Sequence, residues 1–151
     1  MSGNSRCITS AQEGPHRDLE ALVRRHIEHP FRKPILDYNR AAFSTALAAR
    51  DLWQPGARLI VDAGCGVGWS TQRIAETYPE HFVLGVDQSV DRIGRGRPLP
   101  MPGNAQLIRA DLVDFWRLLA ESGVRLARHY VLYPNPWPKI GHLARRWHGH
   151  A

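Results

Sequence analysis

Leu59-Ile60-Val61-Asp62-Ala63-Gly64-Cys65-Gly66-Val67-Gly68-Trp69-Ser70 sets three glycines between an apolar run and a helical pattern. The spacing predicts a strand over Arg58 to Asp62 and a helix over Trp69 to Tyr78. Glycine tolerates φ > 0 and lets backbone approach a ligand closely, and the first turn of the following helix offers N–H groups that have no partner inside it. A dinucleotide fingerprint would put its third glycine where this chain has Trp69. Downstream the alternation repeats. Strands are expected over Phe82 to Asp87, Ala105 to Arg109 and Leu126 to Tyr133, and helices over Ser89 to Gly94 and Leu112 to Glu121. A Gly/Pro-rich loop spans 94–103. Strands alternating with helices imply βαβ units, so the fold class is α/β with about four parallel strands and right-handed crossovers.

Upstream, residues 1–16 are polar and read as a flexible tail. Leu19, Leu22, Val23 and Ile27 recur at helical spacing over Arg17 to His29, and Pro30 and Pro34 then break the pattern. A second helix is expected over Asp37 to Trp53, with Tyr38, Ala41, Ala42, Thr45, Leu47 and Ala49 making a small-residue face. One domain, 17–151, follows: helices over 17–53, a βαβ core over 58–133 and a loop segment over 134–151. The net charge is +6, and of the 20 basic residues only Lys33 and Lys139 are lysines. Arginine suits bidentate contact with phosphate, so a polyanionic partner and a codon bias both fit that balance. Cys7 and Cys65 form no disulfide framework or metal knuckle. The start lacks the apolar core of a signal peptide, and no stretch approaches membrane-spanning length, so the cytoplasm is the expected compartment. Nothing in the sequence speaks to oligomeric state.

Three acids fall at three successive strand ends, Asp62, Asp87 and Asp111. Such residues converge on the C-terminal edge of a parallel sheet, where α/β folds bind ligands. Asp87 can accept both ribose hydroxyls of a nucleoside or cap the helix that begins near Ser89. Asp111 can meet an adenine amino group or cap the helix from Leu112. Gly64-x-Gly66-x-Gly68 fits the nucleoside-binding turn of S-adenosylmethionine (SAM) methyltransferases, and Asp62 lies where the methionine moiety would be.

The segment Tyr133-Pro134-Asn135-Pro136-Trp137-Pro138-Lys139 reads as a stiff loop at a strand's end, since proline fixes φ and removes donors. His142, Arg145, Arg146 and Trp147 follow it. The glycine turn, Asp87, Asp111 and this loop together resemble the tRNA (guanine-N7)-methyltransferase family, from about Leu59 to Trp147. The resemblance implies a Rossmann-like three-layer SAM-methyltransferase sandwich with tRNA as partner. It implies cofactor contacts from Asp62, Gly64, Gly66, Gly68, Asp87 and Asp111. It sets Asn135 between cofactor and base, and Lys139 on the substrate. The family has aspartate where this chain has Asn135, which points either to slow transfer or to an amino-group target.

Arg145 and Arg146 are expected to face phosphates, with Arg24, Arg25, Arg32 and Lys33 as a second basic patch. Trp137 or Trp147 can stack on a base, or Trp137 can simply pack. His142, His148 and His150 have no nearby cysteine or acid to complete a metal site. A nicotinamide-dependent oxidoreductase is disfavoured by Trp69 and the proline loop. A module that binds SAM or RNA without turnover is the remaining rival. The resemblance also implies seven strands where four are legible. An incomplete sheet, an exposed edge strand and weaker SAM binding than in a full-length relative are therefore expected.

Overall fold

A computed structural model of the chain describes residues 14–29, 31–95, 100–132, 134, 137 and 139–146. Its elements run α1 (Leu19–Glu28), α2 (Asp37–Trp53), β1 (Leu59–Ala63), α3 (Trp69–Thr77), β2 (Phe82–Asp87), α4 (Val90–Ile93), β3 (Ala105–Arg109), α5 (Leu112–Ser122) and β4 (Leu126–Val131), and end in a 3₁₀ helix, Ile140–Arg145. The chain divides into two compact units, 34–133 and a second made of 1–33 with 134–151.

In the first unit the four strands form one parallel sheet in the order β3-β2-β1-β4. These are the first four strands of the doubly wound order, which reverses between β1 and β4. Every residue of β1 and β2 is buried, as strands covered on both faces must be, and this explains their unbroken apolar runs. Leu59, Val61 and Ala63 of β1 and Phe82, Leu84 and Val86 of β2 meet Phe43 and Ala46 of α2 and Phe115 and Leu118 of α5. Their alternates Ile60 and Val83 meet Ile74 and Ala75 of α3 on the other face. Helix, sheet and helix make three layers. At the rims of the described sheet, β3 and β4 are only partly buried.

The buried side of α2 is not its small-residue face. Tyr38, Ala41 and Thr45 are exposed, and the residues buried are Asn39, Phe43 and Ala46. Asn39 can be buried because it finds partners from distant chain. Its Nδ2 donates to Asp114 Oδ2 at 2.6 Å, and its Oδ1 accepts the Asp111 N–H at 3.0 Å. Leu36 N–H adds a third link, to Asp114 Oδ2 at 3.1 Å. Burying an amide is tolerable only when it is bonded in this way.

At the opposite end of the sheet Asn104 holds α3 to β3. Its Nδ2 donates to the carbonyls of Ala75, Tyr78 and His81 at 3.0, 3.3 and 3.0 Å, satisfying acceptors that the helix end leaves open. In the second unit, α1 has no buried residue, and Arg24 pairs with Glu20 at 2.8 Å. No described helix is long and apolar enough to cross a membrane.

Asn104→Ala strands the Ala75 and His81 carbonyls, while that of Tyr78 keeps the His81 N–H, and is expected to lower the unfolding free energy by about 1–3 kcal/mol. A urea titration should show a lower midpoint at unchanged slope.

Candidate functional site

The chain leaves β1 through three left-handed residues, Gly64, Gly66 and Gly68, with φ of +76°, +60° and +88°. An L side chain at such angles costs about 1–2 kcal/mol. The N–H groups of Gly64 and Cys65 both donate to the Val86 carbonyl, at 2.8 and 3.2 Å, stitching the turn to the end of β2. The glycines divide by surroundings. A methyl added at Gly64 or Gly66 would meet nothing within 4 Å, whereas one at Gly68 would lie 2.6 Å from the Leu107 side chain. Gly85 is equally hemmed in, by Leu107 and Thr71. Gly68 and Gly85 thus let α3 sit close on the sheet, and Gly64 and Gly66 keep open space beside the turn.

Three strand-end acids surround that turn, each held differently. Asp62, only 1% exposed, accepts from Ser70 Oγ at 2.5 Å and Thr71 Oγ1 at 2.7 Å through Oδ2. Its buried Oδ1 has no partner among the described residues. Asp87 Oδ2 accepts the Gly66 N–H at 2.9 Å, and its Oδ1 accepts the Ser89 N–H at 2.8 Å. Arg92 lies 3.7 Å away. The cap of α4 is Ser89, whose hydroxyl accepts from Arg92 N–H, so Asp87 is not the cap that sequence allowed. Asp111 does cap α5: its Oδ1 accepts the N–H groups of Val113 and Asp114 at 3.0 and 3.2 Å. The Ala110 N–H donates to the Asp87 carbonyl at 3.1 Å. Glycine turn, Asp87 and Asp111 therefore form one bonded seam along the C-terminal edge of the sheet.

Ser70, Thr71 and Asn39, which anchor these acids, were not singled out from sequence as site residues. Hydroxyls in the first turn of the helix after the glycines were the available signal for the first two. Asn39 had none, because its partners lie more than 70 residues away.

Cys65, inside the turn, is buried. Burial pushes its thiol up from 9.0 to about 12, the negative charges of Asp62 and Asp87 add to the effect, and the Thr71 hydroxyl opposes it.

In the second unit, Trp137 has a positive φ of 42°. Its carbonyl accepts from Arg146 Nε at 3.2 Å, the Arg145 guanidinium lies 5.2 Å from its ring centre, and the His142 ring meets it edge-on at 5.4 Å. Arg146, expected to face phosphate, is 6% exposed and holds this loop, while Lys139 and Arg145 are exposed. Asn135 and Trp147 lie outside the described residues, as do Tyr133, Pro136, Pro138, His148 and His150.

Residues 56–149 match a protein family described as "Putative methyltransferase". The chain belongs to that methyltransferase family. It is 30% identical, over 150 residues, to the tRNA (guanine-N(7)-)-methyltransferase of Treponema pallidum (strain Nichols), covering 86% of this chain and 58% of that protein. The enzyme of the same name from Mycolicibacterium gilvum (strain PYR-GCK) is 34% identical over 102 residues, 60% of this chain and 37% of that one. The chain thus spans 58% of the length of the first relative and 37% of the second, less than two thirds of either. A crystal structure of the plantazolicin methyltransferase BpumL, in complex with a monoazolic desmethylPZN analog and SAH, is 25% identical over 63% of this chain and 40% of that one, with a TM-score of 0.34.

The raised Cys65 value has a definite sign in stability. As pH climbs above about 9 the unfolded thiol ionises first, so its contribution is intact below that point and lost as pH rises through 12. In a Cys7→Ser background, Ellman's reagent at pH 8 should label folded Cys65 roughly 1,000-fold more slowly than the denatured chain. A difference under tenfold would contradict this burial.

Proposed function

We propose that this chain carries the cofactor-binding part of a cytoplasmic SAM-dependent methyltransferase acting at N7 of a guanine in tRNA. The observation that carries the reading is the seam described above: strand-end carboxylates gathered around a glycine turn with open space beside Gly64 and Gly66. The residues present suit the cofactor. Asp62 Oδ1, buried and without a described partner, fits the ammonium of a methionine moiety. Each Asp87 oxygen accepts one N–H and keeps a further lone pair for a ribose hydroxyl. Both cap bonds of Asp111 fall on Oδ1, which leaves Oδ2 for an adenine amino group. Gly64 and Gly66 admit backbone close to the nucleoside, and Gly68 serves by seating α3.

SAM supplies an electrophilic sulfonium methyl. Guanine N7 is already a lone-pair nucleophile, so no residue of the chain has to remove a proton, and the protein contributes alignment and electrostatics. Asn135 offers an amide dipole where the family's carboxylate would oppose positive charge arriving on the purine. A unit charge at contact is worth about 4 kcal/mol at an effective dielectric constant of 20, and losing part of that slows transfer. Lys139 and Arg145 are the phosphate contacts, with Trp137 on the substrate and Arg146 holding the Trp137 loop. The tRNA assignment rests on the sequence resemblance and on the names of the relatives. Asn135 also favours a second reading, a module that binds SAM and RNA with little turnover.

Incubation with methyl-labelled SAM and bulk tRNA should place label in 7-methylguanosine, and Asn135→Asp should raise that rate. Binding of both ligands without transfer selects the second reading. Loss of an existing activity in Asn135→Asp selects an amino-group target. Asp87→Ala should weaken S-adenosylhomocysteine binding at least about tenfold by calorimetry.

A further inference from the structure

We infer that Asn39, on the helix that precedes the glycine turn, is a positioning residue that sets the adenine selectivity of the cofactor site; the inference rests on the SAM reading above. Asn39 is 0% exposed. Its two amide atoms act on the two acids at the start of α5. Oδ1 accepts the Asp111 N–H at 3.0 Å, and Nδ2 donates to Asp114 Oδ2 at 2.6 Å. The Asp111 side chain is in turn fixed by its two cap bonds, both on Oδ1. Backbone and carboxylate of Asp111 are therefore held from separate elements, the backbone by α2 and the side chain by α5.

That double hold matters for recognition. An oxygen of Asp111 fixed in direction accepts from the exocyclic amino group of adenine and repels the carbonyl oxygen that hypoxanthine carries at the same place. Discrimination between such groups depends on a buried or half-buried partner that cannot turn away to satisfy itself elsewhere. Removing Asn39 leaves the Asp111 N–H without its partner, so the Asp111 backbone is held only through the neighbouring Ala110 N–H and the two cap bonds, and the carboxylate can tilt. Asn39 would act through Asp111 and touch no ligand itself.

A purely structural Asn39 would weaken all ligands alike, so the ratio of two affinities is the test. Calorimetry on the 151-residue chain should give S-adenosylhomocysteine an advantage over S-inosylhomocysteine of at least about tenfold, the worth of one hydrogen bond to a charged group. Asn39→Ala should erase most of that preference. If Asn39→Ala does not fold, Asn39→Ser carries the same expectation. Asn104→Ala, which loosens the far end of α3 and β3, should lower stability and leave the preference unchanged. An unchanged preference in the Asn39 variants, or a wild-type chain that binds both ligands equally, overturns the inference and leaves the SAM reading standing. A wild-type chain that binds neither ligand overturns the SAM reading itself.

Discussion

The bond from the Gly66 N–H to the Asp87 carboxylate, 2.9 Å long, is the contact on which the rest of the site depends. It fixes the glycine turn against the end of β2. The same residue's carbonyl takes the Ala110 N–H and so fixes the exit of β3. One residue thereby ties the ends of three strands into a common edge. A turn built from left-handed glycines has little stiffness of its own. Its shape is imposed from outside, by the Val86 carbonyl on one side and the Asp87 carboxylate on the other.

The hydroxyls of Ser70 and Thr71 complete the arrangement from the helix side by holding one oxygen of Asp62. They let α3 begin directly over a buried acid. That geometry demands a close approach of helix to sheet, which is why Gly68 and Gly85 face Leu107 and cannot carry side chains. The chemical edge of the molecule and its packed centre share residues, so neither can be altered alone.

Much of this was legible in sequence. The unbroken apolar runs of β1 and β2, the glycines between β1 and α3, and the acids at strand ends located four strands and the glycine turn within a residue or two. These signals are local: each element's own residues carry its period. The buried face of α2 was not legible because its deciding residue, Asn39, is polar, and its burial is compensated by Asp111 and Asp114 from the far half of the unit. No window along the chain contains that information. Arg146 was misread for a related reason. In sequence it is one of two adjacent arginines, and only the fold distinguishes the exposed Arg145 from the buried partner of the Trp137 carbonyl. Asp111 shows the converse, since the cap that sequence allowed is present and occupies only one oxygen of the carboxylate.

Gly85 carries a consequence for how this sequence can drift. Its missing side chain makes room for Leu107 and for the Thr71 hydroxyl, and that hydroxyl is the one bound to Asp62, the register neighbour of Gly85. A lineage that shortens residue 107 gains only part of the space an alanine at 85 would need, because Thr71 still stands in it. To accept that alanine fully it must also move Thr71, and with it the acid at the strand end. Positions 62, 71, 85 and 107 are therefore packed as a set, and a change at the least conspicuous of them, a glycine in mid-strand, is felt at the buried acid near the strand end.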